Sequence, residues 1–283
     1  MNTTFATWSD WVESGGWVDN SDAAMPMLPA LATDVMSLAI DPEVSVARIG
    51  RVIAKDQVLA TRVLRLANSA YCAPLQEVTT VNDAIVRMGT GPVRNVVLAV
   101  CFTSRLQGAN VYGPQGRELM DHAIGTAYLA RLIAEKLGDD ADEAFMCGLL
   151  HDMGKLMLLK LARDFIKFGV PTPSAQEIET VCRERHAEIG ARLLRQWQLP
   201  EALEAPVRYH HDPAASQTHS REAAVTYMAN RLAHRYGFGC PKEEDVKLVD
   251  DPICTRLGLT EKWQDDIDRR APGLFQVARQ IVA

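Results

Sequence analysis

An all-α protein is predicted, built as two helical blocks with the N-terminal one, a bundle of five to six helices, packed on the second. Three observations predict it. From Val46 to Tyr236 apolar residues recur three and four positions apart, the period of a helix with one buried face. No segment alternates apolar and polar residues as a half-buried strand would. Ala, Leu, Val and Arg dominate the long segments while aromatic residues make up only 6% of the chain, a composition that favours helix. The 283 residues, 47% of them hydrophobic, suffice for one or two domains with a sizeable core.

Phe5, Trp8, Trp11 and Val12 share one face of a short first helix, which Ser14-Gly15-Gly16 breaks. Its simplest role is to dock on the protein's own core; the sharper alternative is a handle for a partner or a second subunit. Met25-Pro26-Met27-Leu28-Pro29 is a stiff extended lead-in to a helix carrying Leu31, Val35, Leu38 and Ala39, which Asp41-Pro42 ends. Ser45 can cap the next, with Val46, Ile49, Val52 and Ile53 as its apolar face. Val58–Ala67 follows and stops at Asn68-Ser69. Thr80 can cap Val81–Met88, which Gly89 closes, and Gly91-Pro92 opens the apolar helix Val93–Leu106. Gly108 to Gly116 reads as a loop and as the best boundary. Beyond it come Glu118–Leu137, Ala141–Met153 and a short Leu156–Leu161 run, then the loop Pro171-Thr172-Pro173. A helix capped by Ser174 and ending near Arg185, then Ala187–Gln198, Pro200 to His211, and Arg221–Tyr236 complete the second block, and two or three short helices fill the tail from Pro241. The expected divisions are an arm at 1–24, blocks at 25–108 and 117–236, and a tail at 237–283.

Composition excludes several classes of function. Net charge is −6 with no run of Lys or Arg, which does not suit a duplex nucleic acid. Cys72, Cys101, Cys147, Cys182, Cys240 and Cys254 are scattered without metal-ligand spacing and read as reduced thiols. No apolar run approaches the roughly 18 residues a membrane span needs, and the N-terminal residues lack a basic start and apolar core, so no membrane partner is expected and a cytoplasmic location is.

The chemistry concentrates in Gly148-Leu149-Leu150-His151-Asp152-Met153-Gly154-Lys155, an apolar helix end that suddenly presents an imidazole, a carboxylate and an ammonium. His122 lies on the inward stripe with Leu119. His186 precedes the stripe Ile189, Leu193, Trp197, and His210 continues Leu203–Val207 with His211 beside it. One buried histidine is usually a hydrogen-bonded core residue; five on converging stripes beside an acid point to descent from a metal site, degenerate or still able to bind a divalent ion. Imidazoles with a carboxylate suit Fe, Mn, Zn or Ni, with Mg kept among the candidate divalent ions. Adjacent residues on a helix point about 100° apart. His151 can therefore ligate one ion while Asp152 bridges to a second, and such a pair can clamp a phosphoester and activate water. Lys155 can offer its charge to a phosphate. His219 and His234 read as surface residues.

These residues resemble a known family. His122, His151-Asp152 with Lys155, His186 and His210-His211 are similar in order and spacing to the HD superfamily of metal-dependent phosphohydrolases, especially its HD-GYP branch. Leu28-Pro29, Asp41 to Ser45, Lys55 to Ala60, Leu64 to Tyr71, Asp83 to Gly89, Gly148 to Gly154 and Trp197 to Pro200 resemble the HDOD family, the HD-related output domain of bacterial signalling. The likeness spans about residues 25–236 and makes the second block HD-like. It implies a metal set of His122, His151, Asp152, His186, His210 and His211. Where the pattern ends in an aspartate this chain has Asn230, a neutral amide. No Gly-Tyr-Pro follows His211; Asp212-Pro213-Ala214-Ala215 stands there, against hydrolysis of the HD-GYP type. Asp56-Gln57 replaces the usual Asp-Pro.

The resemblance therefore implies a non-catalytic regulatory module of bacterial signal transduction, with no catalytic residue assigned, acting through a signalling protein or a small ligand. The alternative is a metal-dependent phosphohydrolase or phosphodiesterase acting on a nucleotide or cyclic dinucleotide. A third reading is a dimeric scaffold with the Trp8–Trp11 helix as its handle.

Overall fold

The computed structural model describes residues 5–15, 17, 46–69, 77–107, 113–243 and 248–282, and all regular structure among them is helical. The lead-in at Met25–Pro29, the helix through Ala39 and the Ser45 cap lie outside the described residues.

Helix α1, Trp8–Glu13, begins with a reciprocal cap: Thr7 Oγ1 accepts from Asp10 N–H at 3.0 Å and Asp10 Oδ2 accepts from Thr7 N–H at 3.1 Å. Trp8, Trp11 and Trp17 are all buried, with exposures of 0%, 3% and 0%, so the indoles are committed to this chain's own core. The helix lies along Ala175–Gln196, where Ser9 N–H donates to Glu177 Oε1 at 2.9 Å and Glu13 pairs with Arg185 at 2.9 Å.

The first block continues with α2 (Val46–Ile53), α3 (Gln57–Ala67), α4 (Val81–Met88) and α5 (Thr90–Gln107). Thr80 caps α4 through Asp83 N–H, and Gly89 closes it with φ +86°. Asn68 explains why the chain turns after α3. Its amide donates to the Leu64 and Val78 carbonyls at 3.0 and 2.8 Å and accepts from Val78 N–H at 2.7 Å, pinning the returning backbone as a partner strand would.

The second block is α6 (Gly113–Leu137), α7 (Ala141–Leu150), α8 (Met153–Arg163), α9 (Ala175–Gln196), α10 (Glu201–Tyr209) and α11 (Ser220–Tyr236). Two expectations need correction here. Of the expected loop Gly108–Gly116, residues 113–116 are helical, because Pro114 falls in the first turn, where a missing N–H costs nothing. The expected break at Arg185–Ala187 is absent; α9 runs unbroken for 22 residues, since no Gly or Pro interrupts Glu184 to Ile189. In the tail, α12 (Pro252–Arg256) is short but α13 (Glu261–Val282) spans 22 residues through Pro272.

Helix α6 is the axis, packing on α5, α7, α11 and α13, and α13 returns to lie against α3 and α5 as well. One continuous core runs from Trp8 to Leu274. The first block meets the second through α5 on α7. There Asp142 Oδ1 accepts from Asn95 Nδ2 at 3.0 Å and from Arg131 at 2.6 Å. No helix among the described residues is long and apolar enough to cross a membrane.

Two glycines seat the turn between α7 and α8. A Cβ on Gly148 would stand 2.7 Å from Ala127 Cα on α6, and one on Gly154 would overlap the His186 carbonyl oxygen on α9. Gly154→Ala must push α8 from α9, and overpacking of this kind costs about 1–3 kcal/mol. Urea denaturation should show that loss with the helical signal retained.

Candidate metal centre

The turn His151-Asp152 ends α7 and begins α8, with side chains 0% and 4% exposed. His210 likewise ends α10. At these two helix ends the imidazole does capping work, because the last carbonyls of a helix lack an intrahelical donor. His151 Nδ1 donates to the Gly148 carbonyl at 2.8 Å, and His210 Nδ1 to the Val207 carbonyl at 2.7 Å. His186, inside α9, donates from Nδ1 to the Cys182 carbonyl at 2.6 Å. His122, on α6, donates from Nδ1 to the Phe238 carbonyl at 3.1 Å, in the loop after α11. With Nδ1–H committed in these four bonds, Nε2 is the ring atom left to act as an acceptor or a metal ligand.

All four Nε2 atoms face Asp152. His122 and His151 Nε2 lie 3.9 and 3.4 Å from its Oδ2, while His186 and His210 Nε2 lie 3.3 and 3.8 Å from its Oδ1. His211 Nε2 is 3.0 Å from His186 Nε2. Lys155, one turn on, donates to Oδ2 at 2.7 Å. Asn230 Oδ1, from α11, is 2.9 Å from His122 Nε2. The structure thus brings His122, His151, Asp152, Lys155, His186, His210, His211 and Asn230 together. The donor atoms form two groups, His122–His151–Asp152 and His186–His210–His211, on either side of the one carboxylate.

His234 was missed by sequence reasoning, which placed it on the surface. It is half-buried, with its ring centroid 4.8 Å from that of His122. The signal was present: it stands one helical turn after Asn230 on the same face of α11. His219 stays apart, at the N-cap of α11.

The donor set fits a divalent metal on one physical ground. His151 Nε2 and Asp152 Oδ1 are buried and make no hydrogen bond, and His186 and His210 turn lone pairs on each other at 3.2 Å. Unpaired acceptors facing one another are costly in a dry interior, and a cation between them removes the cost. Protons are a poor substitute here. Burial pushes His122 down to about 3 and His186 to about 4, and holds His210 well below the ordinary imidazole value. Burial alone would raise Asp152, but the side chains around it, with the Lys155 ammonium 2.7 Å from Oδ2 as the standing positive charge, hold it well below the ordinary carboxylate value.

Beside the centre a cavity of about 560 Å³ opens between α6, α8 and α9. Leu119, Leu159, Ile178 and Cys182 give it apolar walls, and Lys155, His186 and His211 line its inner end. That volume is in the range of small-ligand sites.

These pKa values fix how stability depends on pH. Between the unfolded imidazole value of about 6.5 and the folded values, the unfolded chain binds more protons, so stability falls as pH falls. Metal-free protein should lose up to about 1.4 kcal/mol per pH unit for each such histidine below pH 6.5. Thermal unfolding from pH 7 to 4 should show it, and unchanged stability would contradict the burial of neutral rings.

The HDOD domain family matches residues 25–213. An HDOD domain protein of unknown function from Geobacter sulfurreducens has the same fold, with a TM-score of 0.74 over 96% of each chain at 22% identity. An uncharacterised protein of Treponema pallidum is 28% identical over 218 residues, 73% of this chain and 41% of its own. Ribonuclease Y of Mycoplasma genitalium is 28% identical over 147 residues, 49% of this chain and 25% of its own. The chain spans less than half the length of these curated relatives. With two thirds of its length matched and the histidine pattern assembled in three dimensions, the chain belongs to the HDOD family of the HD superfamily.

Proposed function

We propose that this HDOD module is a non-catalytic output unit of bacterial signal transduction, working in the cytoplasm. It acts by binding a small ligand in the cavity beside the centre or a signalling protein. The observation that carries this reading is Asn230. Phosphoester hydrolysis at such a centre needs cations held close to an anionic substrate, and the protein must supply compensating charge. Here a single carboxylate, Asp152, faces the imidazoles among the described residues, and the position beside His122 is a neutral amide at 2.9 Å. The net charge of −6 disfavours duplex nucleic acid as the partner. A second copy of the chain would meet a face other than the α1 indoles, which are buried.

The second reading is a metal-dependent phosphohydrolase acting on a nucleotide or cyclic dinucleotide. The bare Nε2 atoms of His151, His186 and His210 favour it, as does likeness to a relative named ribonuclease. Both readings place a divalent transition metal at the centre, where it would supply a Lewis acid beside Lys155 and the cavity.

The deciding experiment offers cyclic dinucleotides and nucleoside phosphates to the full chain with Mn²⁺ or Fe²⁺. Turnover should equal that of His151→Ala; metal-dependent turnover abolished by that substitution would overturn the output reading. Metal itself is read by stability. A chelator should lower the Tm of the native chain by several degrees and leave His210→Ala unmoved, because a ligand bound only to the folded state stabilises it.

A further inference from the structure

The two halves of the centre are chemically unequal. On the reading that it holds metal, we propose that it takes one divalent transition ion, bound by His186, His210, His211 and Asp152 Oδ1, with the Lys155 ammonium standing where a second cation would be.

The histidine-rich half has the dimensions of a single ion. His186 and His210 Nε2 are 3.2 Å apart, His186 and His211 Nε2 3.0 Å, and Asp152 Oδ1 lies 3.3 and 3.8 Å from His186 and His210. Metal–nitrogen bonds of about 2.0–2.1 Å in a tetrahedral shell put neighbouring donors about 3.3 Å apart. His186 and His210 cannot donate to each other, since both Nδ1–H groups are spent on backbone carbonyls, and the ring placed to offer His186 a proton is His211, at 3.0 Å. Three imidazoles select Zn, Fe or Ni over Mg, which prefers oxygen.

The other half already holds a cation, although its His151 Nε2 is buried without a hydrogen bond. Lys155 already lies 2.7 Å from Asp152 Oδ2. Asn230 sits 2.9 Å from His122 Nε2, and turning its amide over presents an N–H to that lone pair, which an aspartate cannot do. A dication placed here would share one carboxylate with the first ion and stand beside the ammonium, in a hollow where charge is poorly screened. The residue that removed a negative wall and the lysine that supplies a positive group therefore act in the same direction.

The test counts metal. The full chain, purified from medium supplemented with Fe, Mn and Zn, should carry one equivalent by elemental analysis. Titrating the metal-stripped chain with Zn²⁺ in a calorimeter should give the same stoichiometry. His211→Ala removes an exposed ring, so the fold survives, and should lose at least five-fold in bound metal. Asn230→Asp combined with Lys155→Met should raise the count to two. Asn230→Asp and Lys155→Met, measured singly with a helical signal equal to the parent's, guard against misfolding of the pair. Two equivalents in the native chain would sink the asymmetry while leaving metal binding intact. One equivalent retained in His211→Ala would move the ion elsewhere, and one equivalent in the folded double variant would remove Lys155 and Asn230 as the cause. No metal in the native chain would overturn both this inference and the metal reading beneath it.

Discussion

One buried carboxylate, Asp152, sits among imidazole lone pairs, and the second block is arranged to keep it there. Four imidazoles with converging Nε2 atoms cannot be held in this orientation by apolar contact alone, because polar ring atoms buried without partners are costly. What holds them is a set of backbone carbonyls that each take one ring's Nδ1–H. Three of those carbonyls lie three or four residues before the histidine in its own helix: Gly148 for His151, Cys182 for His186 and Val207 for His210. The orientation of these rings therefore follows from helix geometry and needs no distant partner. His122 differs. Its carbonyl belongs to Phe238, between Gly237 and Gly239, which have φ of +72° and +61°. Its aim depends on a loop that glycines permit.

The distance across the centre is set by close backbone approach. Gly148 lets α7 touch the backbone of α6, and Gly154 lets α8 touch the backbone of α9 at His186 itself. A methyl group at either place would move the histidines on one side relative to Asp152. The glycines that bracket His151-Asp152 in the sequence are thus part of the same construction as the ligands.

How much of this is legible in the sequence depends on how local each cause is. Helix caps at Thr80 and Ser174 and the stop at Gly89 are written in single residues and their immediate neighbours, and they stand as expected. The centre is legible because its histidines are rare residues at fixed steps on apolar stripes. His234 escaped because its own helix stripe is mixed, and only its turn-mate Asn230 ties it to the site. The unbroken α9 was hidden because His186 falls mid-helix beside charged residues that look like a boundary. The length of α13 was hidden by Pro272, a breaker by propensity that here does not end the helix. The route of α13 back to α3 and α5 has no local cause to read; it comes from burying Trp263, Ile267, Ala271 and Leu274 against the rest of the core.

Helix α7 joins the centre to the first block. Its C-terminal end is the His151-Asp152 turn, and its first turn carries Asp142, held by Asn95 of α5 and Arg131 of α6. Ten residues of helix span about 15 Å. Every residue from Ala144 to Leu150 is buried, so the rod has no solvent face along which to bend. A packed interior yields by rigid shifts of whole elements rather than by local deformation. A displacement of Asp152 would therefore be carried by α7 as a rigid rod toward the Asp142–Asn95 contact. On the proposed reading, the same argument explains why an output module would hold a histidine centre whose position beside His122 is the neutral amide of Asn230.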